Sequence, residues 1–448
     1  MPVFSFIDLF SGLGGIRIGF EQALKDRGFE PRCVFTSEIK PSALVALQHN
    51  FPDEDIHATD ITKVESKSIP HFKVLLGGFP CQAFSAAGNQ KGFADTRGTL
   101  FFDVARILND HLKDVDGFLL ENVEGLVTHD RENPTDDEGK TIKVIMRVLT
   151  EDLGFNASYI VLNAADFGVP QLRKRVYIVG CKKKFGKVNL KFKPRPHIGA
   201  GTVIEYGQPI LDNEFSRHLL SAYSPDQLNG RALKDKRGGK QNIHSWDIAQ
   251  KGVVSEEQKK LLNMILLERR KKKWAAEIGI DWMDGMPLTY EQIKTFYKGA
   301  GLKKMLDDLT KKRYVYLEHP KKKIVHTDDK GNVWSERVPD VTKPKGYNIV
   351  TGKLSFEISS FLDIDRPTNT IVAMDMNTLG VVDGAGVRHL TLREGLRLFG
   401  YPESYSLAPF EGDKRQIELG YDLLGNSVCV PVIKAVSERL LDRIAKNK

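Results

Sequence analysis

The first 180 residues alternate short apolar runs with longer stretches in which apolar residues return at helical spacing. Residues 3–9 (VFSFIDL) read as a buried strand, 17–27 as a helix, 32–37 as a second strand and 41–50 as a second helix. Residues 74–78, 117–121, 157–163 and 175–180 are further strand candidates. Strands alternating with helices predict βαβ units, a mainly parallel sheet and an α/β fold. The rhythm is lost over roughly 186–365, which holds charge runs, the Gly238-Gly239 pair and all four tryptophans, Trp246, Trp274, Trp282 and Trp334. One helix is legible there, 255–273: Ser255 caps it, Glu256 and Glu257 occupy the first turn and basic residues the last. From about 366 a compact pattern returns and ends in a helix from 431 to about 445.

A chain of 448 residues suggests two domains of roughly 100–200 residues each. Absence of an unbroken apolar run of 18 or more residues argues against a membrane span. The first residues lack a basic start and cleavage site, so a cytoplasmic location is expected. The net charge of +8 is unevenly spread: residues 182–365 hold 36 Lys and Arg against 23 Asp and Glu, net +13, and the rest 30 against 35, net −5. Such a segment suits a polyanion partner, although any single run, such as 269–273 or 321–323, also reads as a solvated face. The four cysteines, Cys33, Cys81, Cys181 and Cys429, are scattered, which favours neither disulfides nor zinc. Cys33, Cys181 and Cys429 read as buried fillers.

Candidate chemistry sits at strand ends. Phe10-Ser11-Gly12-Leu13-Gly14-Gly15 follows the first strand, where glycines let backbone approach a ligand. The dinucleotide pattern fails because Arg17 stands where its third glycine would be. Glu38 ends the second strand and could take ribose hydroxyls; Asp60-Ile61 could read an adenine, though either acid also reads as a surface or capping residue. Cys81 follows Pro80 in a polar, glycine-hinged loop instead of lying within an apolar run. It would attack as a thiolate, given nearby cations or a base. Leu119-Leu120-Glu121-Asn122-Val123 again ends an apolar run in an acid. Gln171, Arg173 and Arg175 alternate, and so are expected to point together into one site. Gly425-Asn426-Ser427-Val428 precedes the last helix.

These six blocks, in this order, resemble the DNA (cytosine-5) methyltransferase family, and those of its bacterial restriction-modification enzymes in particular. Pro80-Cys81-Gln82, Glu121-Asn122-Val123, Gln171-x-Arg173-x-Arg175 and Gly425–Val428 match its motifs, as does the stretch from Lys91 to Phe102. The likeness covers about 3–181 and 366–440; 186–365 corresponds only to the family's variable recognition region. Arg366-Pro367-Thr368-Asn369-Thr370 keeps the family's Arg-Pro and Thr without further basic residues.

The resemblance implies a Rossmann-like sheet binding S-adenosyl-L-methionine, with a smaller target-recognition domain. The expected division is 1–185 plus 421–448 for catalysis and 186–420 for recognition. It implies Cys81 as nucleophile, Glu121 on cytosine N3, Arg175 on the base or its phosphate and Arg173 holding loop and base. Phe10, Gly12, Leu13, Gly15, Glu38, Asp60, Ile61, Pro80, Leu100, Asn426 and Val428 would hold the cofactor, and Gln82, Ser85 and Gln171 the DNA. No metal is called for, because the sulfonium already activates the methyl group. The implied partners are double-stranded DNA and a cognate restriction endonuclease, with the enzyme a monomer near the nucleoid. Three rivals remain: an RNA methyltransferase of the same family, a non-catalytic DNA-binding protein on this fold, and a nucleotide-dependent oxidoreductase, against which the broken fingerprint counts.

Overall fold

The computed structural model describes residues 1–54, 56, 58–80, 100–235, 242–327, 333–350 and 356–445. The chain forms two compact units: Met1–Glu205 with Asp363–Asn377 and Leu390–Lys448, and Tyr206–Leu362 with Thr378–His389. The expected division is thus corrected: 186–205, 363–377 and 390–420 belong with the first unit. Residues 186–205 are laced to it by polar and aromatic contacts that carry no apolar period. Arg195 N–H donates to the Asp166 carbonyl at 2.8 Å, Ala200 N–H to that of Arg366 at 2.9 Å, and the rings of Phe167 and Phe192 lie 5.4 Å apart. By this division the second unit holds 30 Lys and Arg against 21 Asp and Glu, net +9, and the first 36 against 37.

The first unit is built on strands β1 (Val3–Leu9), β2 (Glu30–Ser37), β3 (Val74–Gly77), β4 (Gly117–Val123), β5 (Phe155–Asn163), a short β6 (Gln171–Leu172) and β7 (Lys174–Lys182). Six of them form one sheet in the order β2-β1-β3-β4-β7-β5. β2, β1, β3 and β4 are parallel, whereas β7 runs antiparallel to both β4 and β5. Near-continuous apolar runs fit strands covered on both faces: Ile7, Leu75, Leu76, Leu119, Leu120 and Ile178 are all fully buried. Helices α1 (Gly15–Lys25), α2 (Pro41–Asn50), α3 (Leu100–Asp110), α4 (Gly125–Thr128) and α5 (Lys140–Arg147) alternate with the strands. α1 starts two residues before the expected 17, because Gly14, with φ 71°, turns the chain into it. The C-terminal helix Val430–Ile444 packs on α1, where a Cβ on Gly19 would lie 2.7 Å from Ile433 Cβ. Register aligns the carboxyl ends of the parallel strands and brings the amino end of β7 alongside the end of β4, pairing Val123 with Arg175.

The second unit has two cores. In one, helices Glu256–Glu268, Tyr290–Phe296 and Leu302–Lys311 pack with an antiparallel pair, Val315–Glu318 and Gly346–Ile349, around Leu261, Ile265, Leu306 and Trp246. The other sets helix Glu214–Ala222 near Ser360–Phe361, Leu379–Asp383 and Gly386–His389, with Leu219, Phe361 and Val387 inside. Ser255 caps its helix as expected, accepting from Gln258 N–H at 3.2 Å. That helix stops at Glu268 instead of 273, because Arg269 folds inward and donates to Asn348 Oδ1 at 2.6 Å. Among the described residues, one stretch, Lys414–Ile444, is long and apolar enough to cross a membrane. Its most apolar window is 67% buried within the protein, as in a core helix.

Candidate active site

The chain leaves β1 through backbone that L side chains rarely adopt: φ is 57° at Phe10, 53° at Gly12 and 71° at Gly14. A phenylalanine there costs about 1–3 kcal/mol and persists only where its surroundings hold it. Ser11 N–H donates to the Ser37 carbonyl at 3.1 Å. Glu38 binds the two strand ends together: Oε2 accepts Gly12 N–H, and Oε1 accepts Ile39 and Lys40 N–H, all at 2.8 Å. Lone-pair capacity remains mainly on Oε2, so the carboxylate is aimed before any ligand arrives.

A cavity of about 540 Å³ opens at these strand ends. Phe10, Gly12, Leu13, Glu38, Asp60, Ile61, Pro80, Leu100, Glu121, Arg173, Arg175 and Asn426 all line it. Asp60 also caps the turn Ile61–Lys63, accepting from Thr62 Oγ1 at 2.7 Å, and these Thr62 bonds hold its carboxyl below the usual range. Gly15 and Val428, also expected to hold the cofactor, pack against each other beside these residues. A Cβ on Gly15 would lie 2.6 Å from the Tyr401 hydroxyl and 2.8 Å from Val428 Cγ2, so this glycine serves close packing.

β4 delivers Glu121 to the wall, where its Oε1 lies 3.3 Å from Arg175 Nε. Burial raises the Glu121 carboxyl above the ordinary glutamate value, and Arg175 and then Arg173 pull it back. Asn122 Nδ2 donates to the Phe79 carbonyl at 2.8 Å, and Asn122 Oδ1 accepts Val123 N–H at 2.8 Å. Asn122 thereby fixes the segment that ends in Pro80. Cys81, Gln82 and Ser85 lie outside the described residues. Of the other cysteines none lines the cavity, and burial pushes the thiols of Cys181 and Cys429 up to about 11 and about 12.

Gln171, Arg173 and Arg175 do not share one task. Gln171 is wholly buried, donating to the Leu398 carbonyl at 2.9 Å and accepting Ile371 N–H at 3.1 Å; it is not available to DNA. Arg173 is 3% exposed and donates to the carbonyls of Ile371 at 2.8 Å, Ser427 at 2.6 Å and Gly425 at 3.4 Å. Only Arg175 reaches Glu121, and it also borders a second cavity with Val123, Asn163, Lys174 and Thr370. The short backbone step between β6 and β7 breaks the simple alternation that a single strand would give.

Motif reading missed Arg106, which donates to the Ile61 and Val64 carbonyls at 2.9 Å, and Tyr401, 2.6 Å from Ser427 Oγ. Both work on backbone or on another polar side chain, which leaves no sequence signature. Among the described residues His71, His111 and Asp114 bring potential metal-ligating atoms within 4.8 Å of one another, away from the cavity-lining set. Their bonds already join Asp114 to His71 and Ser66 to His111, each at 2.8 Å.

A mixed six-stranded sheet with one antiparallel strand among five parallel ones, and a cavity at the carboxyl ends of the parallel strands, defines a Rossmann-like methyltransferase fold. A prophage-encoded E. coli protein described as a DNA modification methyltransferase has a solved structure of this fold. It aligns with a TM-score of 0.51 and 19% identity over 99% of this chain and 100% of that one. The family model described as C-5 cytosine-specific DNA methylase matches residues 4–442, and the chain belongs to that family. It is 57% identical over 441 residues to Type II methyltransferase M.NlaIV of Neisseria lactamica, spanning 98% of this chain and 99% of that one. It is 55% identical over 441 residues to M.NgoBV of Neisseria gonorrhoeae, with the same coverage. The chain is a DNA cytosine-5 methyltransferase, and membership implies S-adenosylmethionine-dependent transfer with DNA as substrate.

Proposed function

We propose that the chain methylates C5 of a cytosine flipped out of double-stranded DNA, with Cys81 as nucleophile, Glu121 as proton donor and Arg175 as its electrostatic partner. The observation that carries this is the buried Glu121–Arg175 pair on the same cavity wall as Pro80, the residue before Cys81. Cytosine C5 is a poor nucleophile. Addition of the Cys81 thiolate to C6 forms an S–C6 bond and drives the displaced electron pair toward N3, where the Glu121 proton neutralises it. Burial favours the protonated form of Glu121 that this step needs. The ring is then an enamine, nucleophilic at C5. Loss of the C5 proton after transfer restores the C5–C6 double bond and expels the Cys81 sulfur. Arg173 is a positioning residue, since both its terminal nitrogens are bonded to backbone carbonyls, those of Ile371, Gly425 and Ser427.

The cavity fits S-adenosyl-L-methionine: Phe10, Leu13, Ile61 and Leu100 offer apolar walls, Glu38 an aimed carboxylate for the ribose and Asp60 an acceptor for the adenine amino group. When bound, that molecule supplies a methyl group already activated by its sulfonium charge, so no metal is needed. A stacked cytosine is out of reach, and flipping costs a few kcal/mol that pocket contacts must repay. The second unit, at +9, reads the DNA sequence. Relatives named as Type II methyltransferases support a restriction-modification setting with a cognate endonuclease, and so an enzyme that acts in a bacterial cytoplasm.

The test is transfer of labelled methyl to duplex DNA, to RNA and to no nucleic acid, by wild type and by Cys81→Ala and Glu121→Gln. Only duplex DNA should be labelled. Cys81→Ala should lose turnover while still binding duplex, and Glu121→Gln should lower kcat with little change in cofactor affinity. Turnover by Cys81→Ala, or equal labelling of RNA, would overturn the assignment.

A further inference from the structure

In the second unit, residues 321–339 make an antiparallel ribbon: Lys321–Thr327 pairs with Val333–Pro339, Lys321 opposite Pro339 and Thr327 opposite Val333. It is inserted between the paired strands Val315–Glu318 and Gly346–Ile349, and its base is closed by Asp340 N–H on the Pro320 carbonyl at 2.7 Å. The two faces differ. One carries Trp334 stacked on His326 at 5.3 Å, Glu336 bonded to His326 at 3.0 Å, and Lys322, which lies 3.8 Å from Asp340. The other carries Lys321, Lys323, Val325, Thr327, Val333, Ser335, Arg337 and Pro339, and every one of these residues is exposed. Val325 and Val333 are 57% and 67% exposed.

That second face has three cations and no carboxylate. Among the described residues none of Lys321, Lys323 and Arg337 is ion-paired, and Arg337 stands directly opposite Lys323. Like charges directly opposite destabilise a strand pair. A two-stranded ribbon without a covered face is marginal in water to begin with. Both costs vanish if the face meets a polyanion. A two-stranded β-ribbon also fits the width of the DNA major groove, about 12 Å.

We propose that this face is a DNA-docking surface. The ribbon lies in the major groove, with Lys321, Lys323 and Arg337 on backbone phosphates and Val325 and Ser335 toward base edges. This rests on the reading above that the second unit binds double-stranded DNA, and it names the element that does so. Valine methyls and a serine hydroxyl are the kinds of group that distinguish base edges in that groove, so this face contributes to sequence choice.

The test uses the full chain and a labelled mixed-sequence duplex, with affinity measured as salt is raised. Each cation on a phosphate contributes a slope of about −0.9 in log affinity against log salt. The triple variant Lys321→Gln/Lys323→Gln/Arg337→Gln should therefore lose about 2–3 from the slope. The wild-type advantage over it should shrink about 40-fold from about 50 to about 200 mM salt. Lys322→Gln, on the opposite face, should leave the slope unchanged. Emission from Trp334, stacked within the ribbon, reports that the hairpin is intact. A triple variant with the wild-type slope overturns the docking surface while leaving duplex methylation standing. A wild type that binds single-stranded RNA as tightly as duplex overturns both.

Discussion

Replacing Arg173 by methionine separates a residue that shapes the site from one that touches substrate. The guanidinium is buried and makes two short bonds, 2.6 Å to Ser427 and 2.8 Å to Ile371, and a long one of 3.4 Å to Gly425. Ile371 and Ser427 are themselves buried, so methionine leaves two carbonyls without donors. Each such loss costs about 1–3 kcal/mol, offset in part because a buried cation and its desolvation are removed as well. The net expectation is a loss of roughly 2–5 kcal/mol, or about 5–15 °C in Tm for the first unit. The four tryptophans, at 246, 274, 282 and 334, all lie in the second unit. Tryptophan emission therefore follows that unit alone, whereas far-ultraviolet circular dichroism follows both. The variant should show an early dichroism transition with the emission transition unmoved. Cofactor affinity should fall too, because Val372, Ala373, Gly425 and Asn426, next to the released carbonyls, line the cavity. Arg173→Lys, a point charge without a planar fork, should fall between. Wild-type stability and cofactor affinity together with a large loss in kcat would refute this reasoning and make Arg173 a substrate contact.

Two other substitutions flank the turn after β1, one in the strand and one at the start of α1. Burial pushes the Asp8 carboxyl up to about 7 from an ordinary 3.8, with Arg17 pulling the other way. Between those values the native state keeps a proton that the unfolded chain has released, so the contribution is full below about 4 and is lost as pH rises through about 7. Its ceiling is about 4 kcal/mol, and Asp8→Asn should flatten urea midpoints of the first unit between about pH 4 and pH 7; the same pH slope in both proteins would refute it. Gly15→Ala presses a methyl onto Tyr401 and Val428, an overpacking that costs about 1–3 kcal/mol, read as a lower Tm of the first unit. A variant with unchanged Tm and weakened cofactor binding would instead make Gly15 a cofactor contact.

Much of the first unit is legible from its apolar runs. Val3–Leu9 and Pro41–Asn50 fall on their expected bounds, and the strand ends that carry Phe10, Glu38 and Glu121 do converge on one cavity. This works because a parallel sheet buried on both faces demands continuous apolar strands, and its ligands gather at their carboxyl ends. What escaped the sequence is polar and inward-facing. Arg269 ends a helix whose propensity continues to 273, because tertiary bonds to Asn348 outweigh local preference. Gln171 and Arg173 look like ligand-binding groups by residue type, yet their partners are backbone atoms about 200 or more residues away. Arg106 and Asn122 likewise act on carbonyls, and such partners cannot be read from spacing along the chain.

Those buried polar bonds explain how one unit can be assembled from three stretches of chain. One apolar face of the sheet is packed by residues within the first 182, but the cavity is not complete there, since Val372, Ala373, Leu423, Gly425 and Asn426 also line it. The stretch 171–173 receives these returning segments. β6 pairs in parallel with Thr368–Asn369, Thr370 Oγ1 donates to the Leu172 carbonyl at 2.6 Å, and Gln171 and Arg173 reach Leu398, Ile371 and Ser427. A side chain that bonds backbone fixes position without depending on the partner's residue type. The intervening 206–362 can therefore vary in sequence while the re-entry points stay fixed. The same logic places the natural limits of the inserted unit at 206–362 and 378–389, where the clasp ends, and not at 186–365, where the composition changes.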